Sequence, residues 1–195
     1  MHTVASSSRP QHGVHTLARL GRGSIEDTFI SAPITVEGAG GPVHVLAVFD
    51  GHSSASVSNM AAAELPQLMT QLISSALSSS AAAADVDAAM PQILQTAFEQ
   101  LDKRVQPLDN SGSTATVAVL TPKQLHLAWV GDSRGVLLGQ GGRVLAFTQE
   151  HRATREDEQV RHKPRGRQAL SMQSSCMGAY IVAAATHVAQ QLLRY

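Results

Sequence analysis

Hydrophobic positions along the chain follow two different periods. Residues 43–49 form an apolar, β-branched run that is typical of a buried strand. Apolar residues then recur at spacings of three and four over residues 57–72, which predicts a helix that Pro66 starts or kinks. A similar apolar face over residues 87–105 predicts a second helix. Both faces are of the kind that packs into a protein core.

The strand period returns after these helices. Short apolar segments at residues 115–120, 124–130, 135–138 and 144–147 are separated by Pro- or Gly-containing links. Because connections this short join antiparallel neighbours, we expect consecutive strands to pair. Two helices followed by such strands predict an α+β fold with helices covering one face of a sheet.

The remaining segments carry weaker patterns. Residues 14–30 are irregular and become strand-like near Thr28–Ile30, and the Ser/Ala-rich residues 78–84 are expected to form a loop. The Ala-, Met- and Gln-rich residues 169–195 are expected to include a short helix.

Composition limits the class of protein. A chain of 195 residues with 43% hydrophobic and 15% charged residues fits one folded domain. Its net charge of zero predicts no nucleic-acid partner, and no apolar run is long enough for a membrane span. The single cysteine, Cys176, favours a reducing compartment, the cytoplasm or nucleus. The Arg- and Ser-containing first 25 residues also fit an organellar transit peptide. We expect a monomer.

The residues that could carry out catalysis lie at the end of the predicted strand 43–49. Asp50, Gly51 and His52 follow the run 43–49 directly, and the pair Glu26–Asp27 precedes them in the chain. Carboxylate and backbone oxygens are the ligands that hard divalent cations prefer. Two such ions ionise a shared water and polarise a phosphoryl group, so these residues suit a hydrolytic centre.

Five short motifs occur in an order that resembles one family. They are Arg-x-x-x-Glu-Asp at 22–27, Phe-Asp-Gly-His at 49–52, Ser-Gly-Ser-Thr-Ala at 111–115, Val-Gly-Asp-Ser-Arg-Gly at 130–135 and Phe-Thr-Gln-Glu-His at 147–151. Together they resemble the metal-dependent protein phosphatases of type 2C, over about residues 14–166. The resemblance covers the N-terminal half of that family's catalytic domain. Residues 1–13 are then an N-terminal extension and residues 167–195 an unrelated or helical tail.

The resemblance implies a fold and an activity. The fold is an antiparallel β-sandwich flanked by helix pairs, in α-β-β-α layers and incomplete here. The activity is hydrolysis of phosphoserine and phosphothreonine in proteins, with two Mg²⁺ or Mn²⁺ ions. The implied catalytic residues are Arg22, which binds phosphate oxygens, and His52, which protonates the leaving alkoxide. The implied metal-site residues are Glu26, Asp27, Asp50, Gly51 and Asp132.

Individual roles within that metal set differ. Asp50 is expected to bridge the two ions, Glu26 and the Gly51 carbonyl to supply further oxygen ligands, and Asp27 to orient a metal-bound water. Asp132 has two readings of equal weight. It ligates a further ion, as the family counterpart does, or it accepts backbone N–H bonds within the turn 130–135.

Two alternatives to this enzyme stay open. Gly131-Asp-Ser133-Arg-Gly135 satisfies the nucleophile-elbow pattern of serine hydrolases, although the residues after it do not favour the helix that an elbow needs. Beyond Gly166 nothing resembles the second half of the phosphatase domain or its additional metal-binding aspartates. We therefore expect a truncated, weakly active or inactive phosphatase, or a non-catalytic relative that binds a partner.

Overall fold

A computed structural model describes residues 25–79, 85–105, 110–152 and 154–156, together with the backbone of residues 180–184. The elements in chain order are β1 (Asp27–Ile34), β2 (Val43–His52), α1 (Ser56–Ser79), α2 (Val86–Val105), β3 (Gly112–Ser113), β4 (Ala115–Leu120), β5 (Leu125–Val130), β6 (Arg134–Leu138), β7 (Val144–Phe147) and β8 (Tyr180–Ala184). A single 3₁₀ turn, Gln140–Gly142, joins β6 to β7.

The first sheet has the strand order β1-β2-β4-β5, and all of its pairs are antiparallel. The short strand β3 pairs with the last two residues of β2. Asp27 lies opposite Asp50 in the β1–β2 register. Two acidic residues of the predicted set are thereby brought to one end of two neighbouring strands.

The core lies between this sheet and the two helices. In β2 the buried residues that face the helices alternate with half-buried residues on the other face. Because both faces of the strand are covered at least in part, the sequence of the strand is a nearly continuous apolar run. The helix-facing residues of β2 are Val43, Val45, Ala47 and Phe49, and they share one hydrophobic cluster with Leu65, Met69 and Ile73 of α1 and Met90 and Ala97 of α2. Burial of these faces fixes the register of the central strand.

The second sheet has the order β7-β6-β8 and lies against the face of the first sheet that the helices leave uncovered. The pair β6–β7 is antiparallel, whereas β8 runs parallel to β6. The Thr116 hydroxyl of β4 donates to the Ser133 carbonyl at 3.2 Å, which joins the two sheets. The expectation of an α+β fold with antiparallel sheets and helices on one side is confirmed.

The expectation that all consecutive strands pair with each other was wrong. β5 and β6 follow each other in the chain but lie in different sheets, because Gly131 adopts φ 97° and turns the backbone away from the first sheet. Residues 180–184, within the segment expected to be an unrelated or helical tail, form a strand that pairs with the edge of β6. The rest of residues 167–195 lies outside the described part of the chain.

The helices are longer than the apolar pattern indicated. α1 runs through Pro66 instead of starting there, and it continues to Ser79, into the segment expected to be a loop. α2 begins at Val86, where the Asp85 carboxylate accepts the Asp87 N–H at 3.2 Å as a helix cap. Among the described residues no helix has the length and apolar character needed to cross a bilayer.

Candidate active site

The candidate site is built around the last three residues of β2. Asp50, Gly51 and His52 belong to the strand itself, whereas the sequence placed them just after it. Residues directly opposite each other in an antiparallel pair share one face of the sheet, so the side chains of Asp27 and Asp50 lie on the same face. Asp50 is buried, with 8% of its surface exposed, and Asp27 is exposed.

The backbone of Asp50 is held from the β3–β4 side. Its N–H donates to the Thr114 hydroxyl at 3.1 Å. Its carbonyl accepts the Thr114 N–H at 2.9 Å and the Ser113 hydroxyl at 3.2 Å. Three hydrogen bonds to two neighbouring residues restrict the main chain of Asp50. They fix the backbone position from which its carboxylate side chain extends.

Glu26 is tied to the site through its backbone. Its carbonyl accepts the Gly51 N–H at 3.2 Å and the Ser58 hydroxyl at 2.6 Å. Ser58 is fully buried in the first turn of α1. The bond therefore links the start of β1 to the helix that follows the site.

Gly51 has no room for a side chain. A Cβ atom at this position would lie 2.5 Å from the Glu26 carbonyl oxygen and 2.8 Å from the Ser58 hydroxyl. Both distances are shorter than real Cβ contacts, and the first of them is to backbone. Glycine at position 51 is required for β1, β2 and α1 to converge beside Asp50.

His52 is exposed and lies over β3. A Cβ atom at Gly112 would come within 2.4 Å of the His52 Nε2 atom, so the imidazole ring occupies the space above this glycine. Ser53, directly after the histidine, adopts φ 71°, a left-handed conformation that is uncommon outside glycine. This turn directs the chain from β2 into α1.

Asp132 and Ser133 lie in the turn between β5 and β6. Asp132 is half-buried, and Ser133 is fully buried with its hydroxyl 2.6 Å from that of Thr114. Since Thr114 also binds the Asp50 N–H, a chain of hydrogen bonds connects this turn to the main chain of Asp50. Ser133 is followed by strand β6 and not by a helix, so the context of a serine-hydrolase nucleophile is absent at this position.

Two residues of this framework, Ser58 and Thr114, were not singled out from the sequence. Ser58 carries no motif. Thr114 lies in the Ser-Gly-Ser-Thr-Ala motif, to which none of the predicted site residues belongs. Their hydrogen bonds depend on which strands and helices become neighbours, and no local pattern encodes that.

Metal-ligating groups in the described residues do not gather into a group of three or more His, Cys, Asp or Glu side chains. Asp27 and Asp50 are neighbours in the sheet. Asp132 precedes Ser133, whose hydroxyl bonds to that of Thr114, the residue that also binds the Asp50 N–H. Arg22 lies outside the described residues. Carboxylate oxygens, without sulfur, are the kind of donor that hard divalent cations prefer.

Comparison with known proteins relates this chain to one family. The family model described as "Protein phosphatase 2C" matches residues 13–169. A protein kinase and PP2C-like domain-containing protein of Arabidopsis thaliana is 34% identical over 143 residues, which are 72% of this chain and 21% of that protein.

Two solved structures are also similar to this chain. The structure of a C. elegans sex determining protein matches with a TM-score of 0.60 and 29% identity, over 77% of this chain and 37% of that one. The serine-threonine phosphatase 2C from Toxoplasma gondii matches with a TM-score of 0.52 and 28% identity, over 75% and 52%. This chain thus spans between about a fifth and a half of the length of these three proteins.

Proposed function

The chain belongs to the protein phosphatase 2C family, and from that membership we propose that it hydrolyses phosphoserine and phosphothreonine esters in proteins. The observation that supports this proposal best is the β1–β2 register, which sets Asp27 opposite a buried Asp50. Aspartate side chains in folded proteins are mostly exposed. A buried aspartate whose backbone is held by three hydrogen bonds therefore supports a functional role for Asp50.

Two Mg²⁺ or Mn²⁺ ions are the cofactors that we propose. Asp50 and Glu26 would hold them together with the Gly51 carbonyl, Asp27 would orient bound water, and Asp132 would hold a further ion. All of these donors are oxygen atoms, which hard divalent cations prefer. When bound, the ions supply Lewis-acid polarisation of the phosphoryl group and an ionised water.

The remaining steps fall to side chains of the protein. Arg22, whose guanidinium plane can meet two phosphate oxygens, would bind and orient the phosphate group. His52 is exposed at the end of β2, where a protein substrate can reach it, and would donate a proton to the leaving serine or threonine oxygen.

The first experiment removes the proposed bridging carboxylate. We expect Asp50→Asn to lower Mn²⁺-dependent hydrolysis of p-nitrophenyl phosphate by about 100-fold or more, because a neutral amide is a poor ligand for a divalent cation. Asp85→Asn is the matched control, since Asp85 is half-exposed and lies away from the site, at the start of α2. Equal rates in wild type and Asp50→Asn would refute the proposed role of this residue.

A second experiment isolates the proposed proton donor. The alkoxide leaving group of a phosphoserine peptide needs protonation, whereas nitrophenolate leaves without it. His52→Ala should therefore slow hydrolysis of the peptide by about 100-fold and hydrolysis of p-nitrophenyl phosphate much less. A uniform loss on both substrates would contradict proton donation and indicate a role in folding or binding.

A non-catalytic function is the second candidate. The observation that favours it is the lack, within the described ranges, of any group of three potential metal ligands. A relative of this kind would bind a phosphoprotein partner without turning it over. Folded wild-type protein with no Mn²⁺-dependent turnover, and with no difference from Asp50→Asn, is the result that selects this candidate.

A further inference from the structure

The hydroxyl of Ser133 lies between two acidic parts of the candidate site. Ser133 is fully buried in the turn that joins β5 to β6, and its hydroxyl lies 2.6 Å from that of Thr114. Thr114 binds Asp50 twice, because its hydroxyl accepts the Asp50 N–H and its own N–H donates to the Asp50 carbonyl. The residue before Ser133 is the half-buried Asp132. One pair of hydroxyls therefore links the backbones of two predicted metal-site residues.

Contact between the two sheets does not require this hydroxyl. The Thr116 hydroxyl donates to the Ser133 carbonyl, a bond that the backbone of any residue at this position could accept. Alanine would fill nearly the same space and would leave no polar group to desolvate. Burial of a hydroxyl is unfavourable unless it finds a hydrogen-bond partner, and here the partner is the residue that holds Asp50. The side chain of Ser133 is thus matched to Thr114.

The turn also packs closely against Thr114. A Cβ atom at Gly131 would lie 2.6 Å from the Thr114 Cγ2 atom. A side chain at position 131 would therefore push the turn away from Thr114 and separate the two hydroxyls. On its other side the turn is held by His151, whose N–H donates to the Gly131 carbonyl at 2.8 Å. Contacts on both sides restrict the movement of the turn relative to Thr114.

The carboxylate of Asp132 takes no part in holding this turn. Among the residues that the structure describes, no hydrogen bond or ion pair involves it. The turn is instead held through its backbone carbonyls, which accept bonds from Thr116 and His151. A half-buried carboxylate that the turn does not use is available to a ligand, and its place in the site follows from that of Ser133, the next residue.

We propose that Ser133 is a positioning residue, which acts through Thr114 to fix the backbone of Asp132 relative to that of Asp50. The proposal rests on the proposed function, in which both carboxylates belong to the divalent-cation site. Groups that orient metal ligands without touching the metal contribute strongly to a site, and their loss typically weakens metal binding or activity by about 10- to 100-fold. Ser133 acts in this way on two chain segments at once.

The first measurement is Mn²⁺ binding to the full chain, which requires no turnover. We expect Ser133→Ala to weaken Mn²⁺ binding, measured by titration calorimetry, by about tenfold. Thr121→Val is the matched control, since it removes a buried hydroxyl at the opposite end of β4, where Thr121 bonds to Asp87. This control should change Mn²⁺ binding by less than about twofold. Equal weakening in both variants would indicate a general loss of stability and overturn the proposal.

Hydrogen exchange of the Asp50 amide tests the same link without any metal. In the presence of a chelator, Ser133→Ala should accelerate exchange of the Asp50 N–H by about fivefold, because the Thr114 hydroxyl that accepts it loses its own partner. The Ala118 amide, in the middle of β4 between β2 and β5, is the internal reference for global opening. Equal acceleration at both amides, measured by NMR, would contradict a local effect on Asp50.

A double substitution tests whether Ser133 acts through Thr114. Thr114→Val keeps the shape of that side chain and removes its hydroxyl. In this background Ser133→Ala should weaken Mn²⁺ binding by less than about twofold, against about tenfold in the wild type. Two effects that simply multiply would overturn the proposed route through Thr114. If Ser133→Ala does not fold, Ser133→Cys takes its place, because a thiol fills the space but forms only weak hydrogen bonds.

These measurements separate the positioning role from the proposed activity. Weaker Mn²⁺ binding and faster Asp50 exchange in Ser133→Ala support the role even if the wild-type chain does not hydrolyse phosphopeptides, a result that would contradict only the activity. Mn²⁺-dependent turnover by the wild type, with unchanged Mn²⁺ binding and Asp50 exchange in Ser133→Ala, would overturn the role and leave the activity standing. Failure of the wild-type chain to bind Mn²⁺ would overturn both.

Discussion

Gly51 shows how one residue position sets the geometry of the candidate site. We expect Gly51→Ala to lower the free energy of unfolding by about 2 kcal/mol, because the new methyl group meets the Glu26 carbonyl at 2.5 Å and must push β1 or α1 away. The same movement displaces Asp50, so Mn²⁺-dependent turnover should fall as well. Urea unfolding and a p-nitrophenyl phosphate assay measure the two effects.

Gly112→Ala is the matched control for that substitution. Its added methyl group would meet the His52 Nε2 atom at 2.4 Å, but this is the far end of an exposed side chain that can rotate away. Its stability should therefore change by less than about 1 kcal/mol. A loss of stability as large as that of Gly51→Ala would show that a clash with backbone does not explain the effect at Gly51.

At the residue scale, part of the site could be predicted from the sequence. The Asp50-Gly51-His52 triplet after an apolar run indicates a site because each residue has a distinct chemical use. The bond from Thr114 to Asp50 and the pairing of Arg134 with Glu150 join residues 64 and 16 positions apart. Such contacts depend on strand register and on the packing of two sheets, which no local pattern specifies.

At the element scale, a buried polar contact attaches α2 to the β4–β5 hairpin. Asp87, 6% exposed, accepts the Thr121 hydroxyl at 2.6 Å and lies 2.9 Å from the His126 Nε2 atom. Thr121 also accepts the backbone N–H of Lys123 at 3.2 Å and of Gln124 at 2.9 Å. One carboxylate thus joins a helix, a turn and a strand.

We expect Asp87→Ala to lower the free energy of unfolding by about 3 kcal/mol, because it leaves the His126 imidazole without this partner and the Thr121 hydroxyl with only the longer bond to the Gln124 carbonyl at 3.3 Å. Glu99→Ala, on the exposed side of the same helix, should change it by less than about 0.5 kcal/mol. Urea denaturation followed by circular dichroism compares them. Similar losses in both variants would mean that removal of any carboxylate from this helix, and not loss of the buried contact, accounts for the effect.

The elements themselves were predictable to different degrees. β4 and β7 have the bounds that the apolar segments indicated, because a short link with Pro or Gly flanks each of them. The division of β5 and β6 between two sheets was not predictable, since it depends on the backbone angle of Gly131 and the burial of Ser133. Pairing of β8 with β6 was missed because a distant edge strand, not local composition, determines it.

At the scale of the whole molecule, the two faces of the first sheet differ in how well they are covered. The helix side is closed, and Phe49 is 1% exposed there. On the opposite side Phe29, on the edge strand β1, is 43% exposed, and Phe147 of the second sheet is 64% exposed. Apolar side chains at an open sheet edge favour association between molecules.

Phe29→Ser tests whether this face is open in solution. We expect the substitution to change the free energy of unfolding by less than about 1 kcal/mol, because the ring is already in contact with water, and to reduce concentration-dependent light scattering. Phe49→Ser, on the covered face, should cost more than about 3 kcal/mol. If Phe29→Ser is as destabilising as Phe49→Ser, and more so at higher protein concentration, then the ring is buried in a self-associated form. In that case the second face of the sheet is closed by another copy of the chain, and the expectation of a monomer is wrong.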